Sequence, residues 1–236
     1  MTKEERLAAE KERLKGMYAF ERETSKGAAF VFGIDEAGRG PLCGPVVAAC
    51  CVLPEEAEIL YLNDSKKISE KKRELIYAEV IEKASAYGVG MASPARIDEI
   101  NILNATMEAM KDAFDACIEM YKTGLLESGG ELSMDVLDRL PSVGDSMVLV
   151  DGNRIVPGID FHQSFVIGGD AKCPSISAAS VIAKVTRDHL LIEYDKQYPE
   201  YGFAKHKGYG TKEHYEAIRK YGILDIHRKS FLKNIH

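Results

Sequence analysis

The stretch VFGIDEAGRGPLCGPVVAACCVL, residues 31–53, decides how the chain is read. An apolar run stops at Asp35-Glu36, a glycine-rich turn follows, and the chain becomes apolar again. Residues 28–35, AAFVFGID, carry apolar and small side chains throughout, which predicts a strand buried on both faces. The turn EAGRGPLCG leads into a second such strand over 45–53. Their connection is too short for a parallel crossover, so the two strands are expected to be antiparallel. Two adjacent carboxylates at a strand end resist joint ionisation unless a cation or a proton relieves them. Something is therefore expected to bind there.

Working outward, further strands are predicted over 85–93, 147–152 and 161–170. Helices are predicted over 3–23, 69–83, 94–121, 175–199 and 211–221. Leu75, Ile76, Val80 and Ile81 have helical spacing, and Ile97, Ile100, Leu103, Met107, Met110, Phe114 and Ile118 form a longer apolar stripe. The helix from Ser175 opens with small residues that allow close approach to a sheet. The pattern is α/β: a mixed five-stranded sheet flanked by helices, with a helical C-terminal region. Three parts are expected: an N-terminal helical extension (1–26), a catalytic domain (27–195) and a basic C-terminal region (196–236). Residues 124–146, with Gly-Gly, a short helix and a turn, read as an insertion.

At 236 residues, 45% hydrophobic and 29% charged, the chain can bury a sizeable core. A net charge of −6 argues against a uniformly basic nucleic-acid binder but leaves room for a local basic groove. The charged N-terminus does not read as a signal peptide, and PVVAACCVLP is too short to span a bilayer as a helix. Five cysteines (43, 50, 51, 117, 173) contain no C-x-x-C pair and are expected to be reduced, buried thiols in a cytoplasmic protein.

Three predicted strands end in acids: Asp35-Glu36, Asp151 and Asp170. A lone Asp after a strand is usually a turn former or a helix cap. The set of four asks for more, because oxygen-only donors converging at sheet ends suit hard divalent cations such as Mg²⁺ or Mn²⁺. The six histidines show no H-x-x-x-H pair, which argues against zinc, and no G-x-S-x-G elbow is present. Gly38-Arg39-Gly40 beside the acids reads either as a tight turn or as backbone that meets a ligand closely. It lacks the spacing of a dinucleotide fingerprint and the lysine of a P-loop.

The segments GIDEAGRGPLCGPVVAAC, NDSKKIS, LVDGNR, GGDAKCPSISAASVIAKVTRD and HKGYGT, in this order, resemble the ribonuclease HII family from about residue 30 to 221, apart from 124–146. The resemblance implies a ribonuclease H-like fold and a metal-dependent endonuclease. It implies cleavage of the RNA strand of RNA–DNA hybrids, and cutting on the 5′ side of single ribonucleotides in duplex DNA, leaving 3′-hydroxyl and 5′-phosphate ends. It assigns Asp35, Glu36, Asp151 and Asp170 to metal binding, and Gly38, Arg39 and Gly40 to the ribose 2′-OH. Tyr209 would stack on the sugar past the ribonucleotide, and Ser65, Lys66 and Lys67 would contact phosphate.

The chemistry is consistent with these assignments. Two divalent ions activate water and stabilise the leaving oxygen, and their charge keeps four acids ionised together. The 2′-OH is the group that separates RNA from DNA. Residues 196–236 hold nine Lys/Arg against four Asp/Glu, enough to meet duplex phosphates. A monomer is expected, with no membrane partner. The N-terminal helix is expected to be dispensable for chemistry, adding affinity at most through its lysines and arginines. Three alternatives stay open: a DNA-cutting nuclease of the same fold, a non-catalytic hybrid-binding module, and a small-molecule phosphate binder.

Overall fold

The apolar run that stops at Asp35 is the centre of a sheet. In the computed structural model, which describes residues 2–129 and 139–232, β1 (Phe30–Ala37) pairs antiparallel with β2 (Val46–Val52). It pairs parallel with β4 (Ser146–Asp151) on its other side. β3 (Ala86–Ala92) lies antiparallel beyond β2, and β5 (Gln163–Val166) parallel beyond β4, giving the order β3-β2-β1-β4-β5. Every residue of β2 is buried, as expected of a strand covered on both faces.

Alternation divides the side chains between two layers. Phe32, Ile34, Ala48 and Cys50 pack with Ala105, Ala109 and Phe114 of α3 (Pro94–Gly129). On the other face Ala49 and Cys51 meet Ile76 and Val80 of α2 (Glu70–Lys83) and Ala178, Ala179 and Ile182 of α4 (Pro174–Gln197). The small first turns of α4 bring its backbone onto β1. A Cβ at Gly33 would lie 2.2 Å from the Ser175 carbonyl carbon, so only glycine fits without moving the helix.

Several boundaries differ from expectation. α3 runs on to Gly129 instead of stopping near Tyr121, and bends at Asn101, whose φ is 70°. The Asn101 carboxamide oxygen accepts from the Leu103 and Asn104 N–H groups at 3.0 and 3.1 Å, capping the part beyond the bend. The expected insertion therefore begins inside a helix, and its residues 130–138 lie outside the described residues. β5 has four residues because the chain turns at Gly168 (φ 64°) into a short 3-10 turn, Gly169–Ala171. Asp170 sits in that turn, not at a strand end.

α1 (Lys3–Thr24) opens with a capping box between Thr2 and Glu5. It is tied to the following chain by Arg13 to the Leu62 carbonyl (2.6 Å), Tyr61 N–H to Glu10 (2.6 Å) and Tyr18 OH to the Ala57 carbonyl (3.0 Å). Lys11, Arg13 and Arg22, expected to reach for phosphate, are paired with Glu58, Glu10 and Glu55. At the other end, α5 (Phe203–His206) and α6 (Lys212–Tyr221) close a separate apolar cluster of Leu42, Leu191, Tyr201, Phe203 and Ile218. All five cysteines are free and buried, and among the described residues no helix is long and apolar enough to cross a membrane.

Candidate active site

Parallel register brings two of the acids together. Ile34 pairs with Val150, which sets Asp35 and Asp151, the next residues, side by side. Asp151 accepts from Gly169 N–H at 2.7 Å and so ties down the turn that carries Asp170. Asp35, Asp151 and Asp170 each offer a carboxylate oxygen within 4.8 Å of the others. Asp35, only 5% exposed, accepts from Glu36 N–H at 2.7 Å and hydrogen-bonds with Ser180. Its pKa is pushed well above the usual carboxylate range by burial, then by the charges of Glu36 and Asp151. Asp170 is raised by burial and by Asp151. Glu36 stands outside this trio; burial raises it while Arg39, 3.3 Å away, offsets part of the rise. Converging oxygen donors that repel one another, Asp35 buried and Asp151 and Asp170 partly exposed, with no sulfur or imidazole among them, fit a hard divalent cation.

A cleft of about 750 Å³ opens beside Glu36, lined also by Gly38, Arg39, Gly40, Ser65, Lys66 and Tyr209 among others. The Tyr209 ring is 43% exposed and lies against Gly40, 3.6 Å from where a Cβ would stand. Ser65 is buried: its carbonyl accepts from Arg73 at 2.6 Å and its hydroxyl oxygen from Ser180 at 3.0 Å. Burial lowers the pKa of the Lys66 ammonium, but Asp35, Asp64 and Asp170 together reverse this and leave it raised. Lys67 is not brought to the cleft lining; its side chain is exposed, 3.7 Å from Asp64.

Two buried arginines that sequence patterning missed frame the glycine loop. Arg228 donates to the carbonyls of Gly38 (2.6 Å), Arg39 (3.1 Å), Pro41 (2.9 Å) and Gly44 (2.9 Å). Arg187 donates to those of Cys43 (2.9 Å), Pro45 (3.1 Å) and Lys207 (2.9 Å). Burial, followed by the neighbouring Arg187, lowers the Arg228 pKa to about 9. Gly38 has φ 96°, and a Cβ there would stand 2.1 Å from Arg187 Nε, so conformation and space both require glycine. Arg228 is one of the nine cations counted over 196–236, yet it serves the interior and not the surface.

The family model for Ribonuclease HII matches residues 32–122 and 131–234. The chain belongs to the ribonuclease HII family. The ribonuclease HII of Clostridioides difficile strain 630 is 49% identical over 230 residues, covering 97% of this chain and 80% of that protein. The crystal structure of the ribonuclease H2 of Pyrococcus horikoshii OT3 aligns with a TM-score of 0.57 at 25% identity, over 85% of this chain and 93% of that one. Bst-RNase HIII, solved in complex with Mn²⁺, shares the fold: its TM-score is 0.61 at 13% identity, over 88% of this chain and 68% of that one. As a ribonuclease HII the chain is an endoribonuclease of the ribonuclease H type, a hydrolase acting on the RNA of RNA–DNA hybrids. The family match leaves out 123–130 and resumes at 131, so most of the expected insertion, 131–146, lies within the family match and only 124–130 falls outside it.

In this ribonuclease HII, Cys43, His214 and His227 also bring ligating atoms within 4.8 Å, which histidine spacing could not show. The ring protons of the two histidines are already committed. His227 Nδ1 accepts from Leu224 N–H (3.0 Å), so its proton sits on Nε2 and is given to His214 Nε2 (3.1 Å). His214 in turn donates from Nδ1 to the Tyr209 carbonyl (2.9 Å). The pair is a closed relay holding the Tyr209 loop, not a vacant ligand set. A further proton would set N–H against N–H.

Burial, with His206 and His227 adding to it, lowers the His214 pKa from 6.5 to about 4. The unfolded chain therefore binds a proton in this window that the folded chain refuses, and stability falls as pH is lowered through it. The slope expected from one such group is about 1.4 kcal/mol per pH unit, vanishing above the window. Thermal melts of the protein and of His214→Asn across this range should differ in slope by that amount. Parallel curves would rule out the relay as a source of acid sensitivity.

Proposed function

We propose that this ribonuclease HII cuts on the 5′ side of a ribonucleotide, in RNA–DNA hybrids and at single ribonucleotides in duplex DNA, leaving 3′-hydroxyl and 5′-phosphate ends. The observation that carries this reading is a cleft lined by Glu36, the glycine loop and Tyr209, with Glu36 adjacent in sequence to Asp35 of the converging trio. Asp35, Glu36, Asp151 and Asp170 would hold divalent ions, Mg²⁺ or Mn²⁺. Such ions, when bound, make water nucleophilic and stabilise charge on the leaving oxygen.

The rest is the work of the chain itself. Arg228 engages the Gly38 and Arg39 carbonyls, which biases the loop towards donating hydrogen bonds to a 2′-OH. Lys66 reaches the cleft as the phosphate contact, Ser65 shapes the wall behind it, and Lys67 meets phosphate from the solvent side. Residues 27–195 act as the catalytic domain and 196–236 supply the wall with Tyr209. The protein acts as a monomer on hybrid and ribonucleotide-containing duplex; five buried thiols support a cytoplasmic location.

Tyr209 tests the reading. Packed on the deoxyribose after a ribonucleotide, its ring senses the RNA-to-DNA junction. Tyr209→Ala is expected to lower cleavage at a single embedded ribonucleotide by about 10-fold or more, the scale of one stacking contact, and to affect cleavage inside a long hybrid less. Arg39→Ala is expected to impair both. The half-exposed ring predicts a melting temperature within about 2 °C of the unmutated protein. Equal losses on both substrates with a lowered melting temperature would refute junction sensing. Cleavage of an all-DNA duplex at a comparable rate would favour the DNA nuclease instead.

A further inference from the structure

We propose that α1 positions the active site, and that its Glu21 does so by capping α4 from across the fold. The inference rests on the carboxylate reading above. Cys173 occupies the N-cap of α4 and its side chain makes no capping hydrogen bond. The first-turn N–H groups of such a helix need an acceptor from elsewhere. Glu21, in the last turn of α1, supplies one: its Oε2 accepts from Ser175 N–H at 2.9 Å and from Ser175 Oγ at 2.5 Å. The carboxylate is buried, and it lies where the helix dipole favours negative charge.

The capped turn touches both elements that carry the acids. On one side, the Ser175 backbone lies against Gly33, two residues before Asp35 on β1. On the other, Ser177 Oγ donates to the Asp170 carbonyl, and Cys173 N–H donates to the Gly169 carbonyl at 2.8 Å. The placement of Asp170 relative to Asp35 therefore follows the first turn of α4, and Glu21 holds that turn. The family match begins at Phe32, so it gives α1 no task. This positioning role stands against the expectation that α1 is dispensable for chemistry, and metal titration separates the two.

Calorimetric titration of the full chain with Mn²⁺ alone, well below the melting temperature, tests this. Glu21→Ala is expected to weaken Mn²⁺ binding about tenfold, the low end for groups that orient a metal's ligands. Glu21→Gln, whose amide oxygen accepts the same two hydrogen bonds, should stay within about threefold of the unmutated protein. Ser175→Ala deletes one of the two bonds and should fall between; it carries the test if Glu21→Ala does not fold. Unchanged Mn²⁺ affinity in Glu21→Ala and Ser175→Ala, with lowered melting temperatures, overturns the proposal and leaves α1 a packing role only. If the unmutated chain takes up no Mn²⁺, the carboxylate reading itself fails and the positioning role falls with it. That outcome shows in the unmutated protein before any variant is compared.

Discussion

Asp35→Asn is expected to lower cleavage by at least about 10³-fold while raising the melting temperature of the metal-free protein by several degrees. The two effects have one cause. Asp35 is buried beside Glu36 and Asp151, and all three repel one another. Asparagine is nearly the same shape and keeps an oxygen for Glu36 N–H and Ser180, but it removes the charge. Relief of a buried like-charge contact is worth about 1–3 kcal/mol, and each kcal/mol moves the midpoint of a domain this size by about 2–4 °C. Single-turnover cleavage with Mg²⁺ and with Mn²⁺, and melts in chelator, measure both. Activity within tenfold of the unmutated protein would remove Asp35 from the chemistry, and a lowered melting temperature would show that its charge is satisfied without a cation. Asp151→Asn should lose cleavage to the same extent.

Arg228→Ala should be the most damaging single change outside the acids. It leaves the carbonyls of Gly38, Arg39, Pro41 and Gly44 without their donor in a buried setting. Removing one partner from a buried charged network costs about 3–5 kcal/mol, hence a fall of about 10 °C or more. Lysine should rescue little, because one ammonium cannot reproduce a planar fork serving four acceptors. Both hybrid and embedded-ribonucleotide cleavage should drop together as the glycine loop loses its frame. A surface cation contacting phosphate behaves differently: its loss weakens substrate binding in a salt-dependent way and leaves the melt untouched. That second outcome would return Arg228 to the solvated basic tail.

The acids were legible in the sequence because apolar strands announce themselves and charge interrupts them abruptly. Asp35 and Asp151 sit where that interruption predicts, whereas Asp170 is displaced into a 3-10 turn by Gly168, a backbone preference that polarity alone does not reveal. Helical spacing found Ile76 and Val80 but also recruited Leu75, which is 66% exposed, because periodicity blurs the edge of a buried stripe. The sequence places the end of α3 too early because Gly124 mimics a helix stop, whereas the helix runs through it to Gly129. Arg187, Arg228 and the His214–His227 relay left no trace, since most of their partners are backbone carbonyls and no side-chain pattern encodes those. Glu21 was hidden for a related reason. Its helix is charged almost throughout, and nothing local marks one of those acids as buried.

The Arg228 clamp also bears on the order in which the site comes into being during synthesis. The loop it grips, Gly38 to Gly44, leaves the ribosome early, and its donor follows 184 to 190 residues later. Contacts this distant in sequence form only after the intervening chain has been made and folded. A nascent chain that already carries Asp35, Asp151, Asp170 and Arg187 therefore still lacks the donor for the Gly38, Arg39, Pro41 and Gly44 carbonyls. The loop receives its last set of hydrogen bonds only once Arg228 has been made, near the end of synthesis.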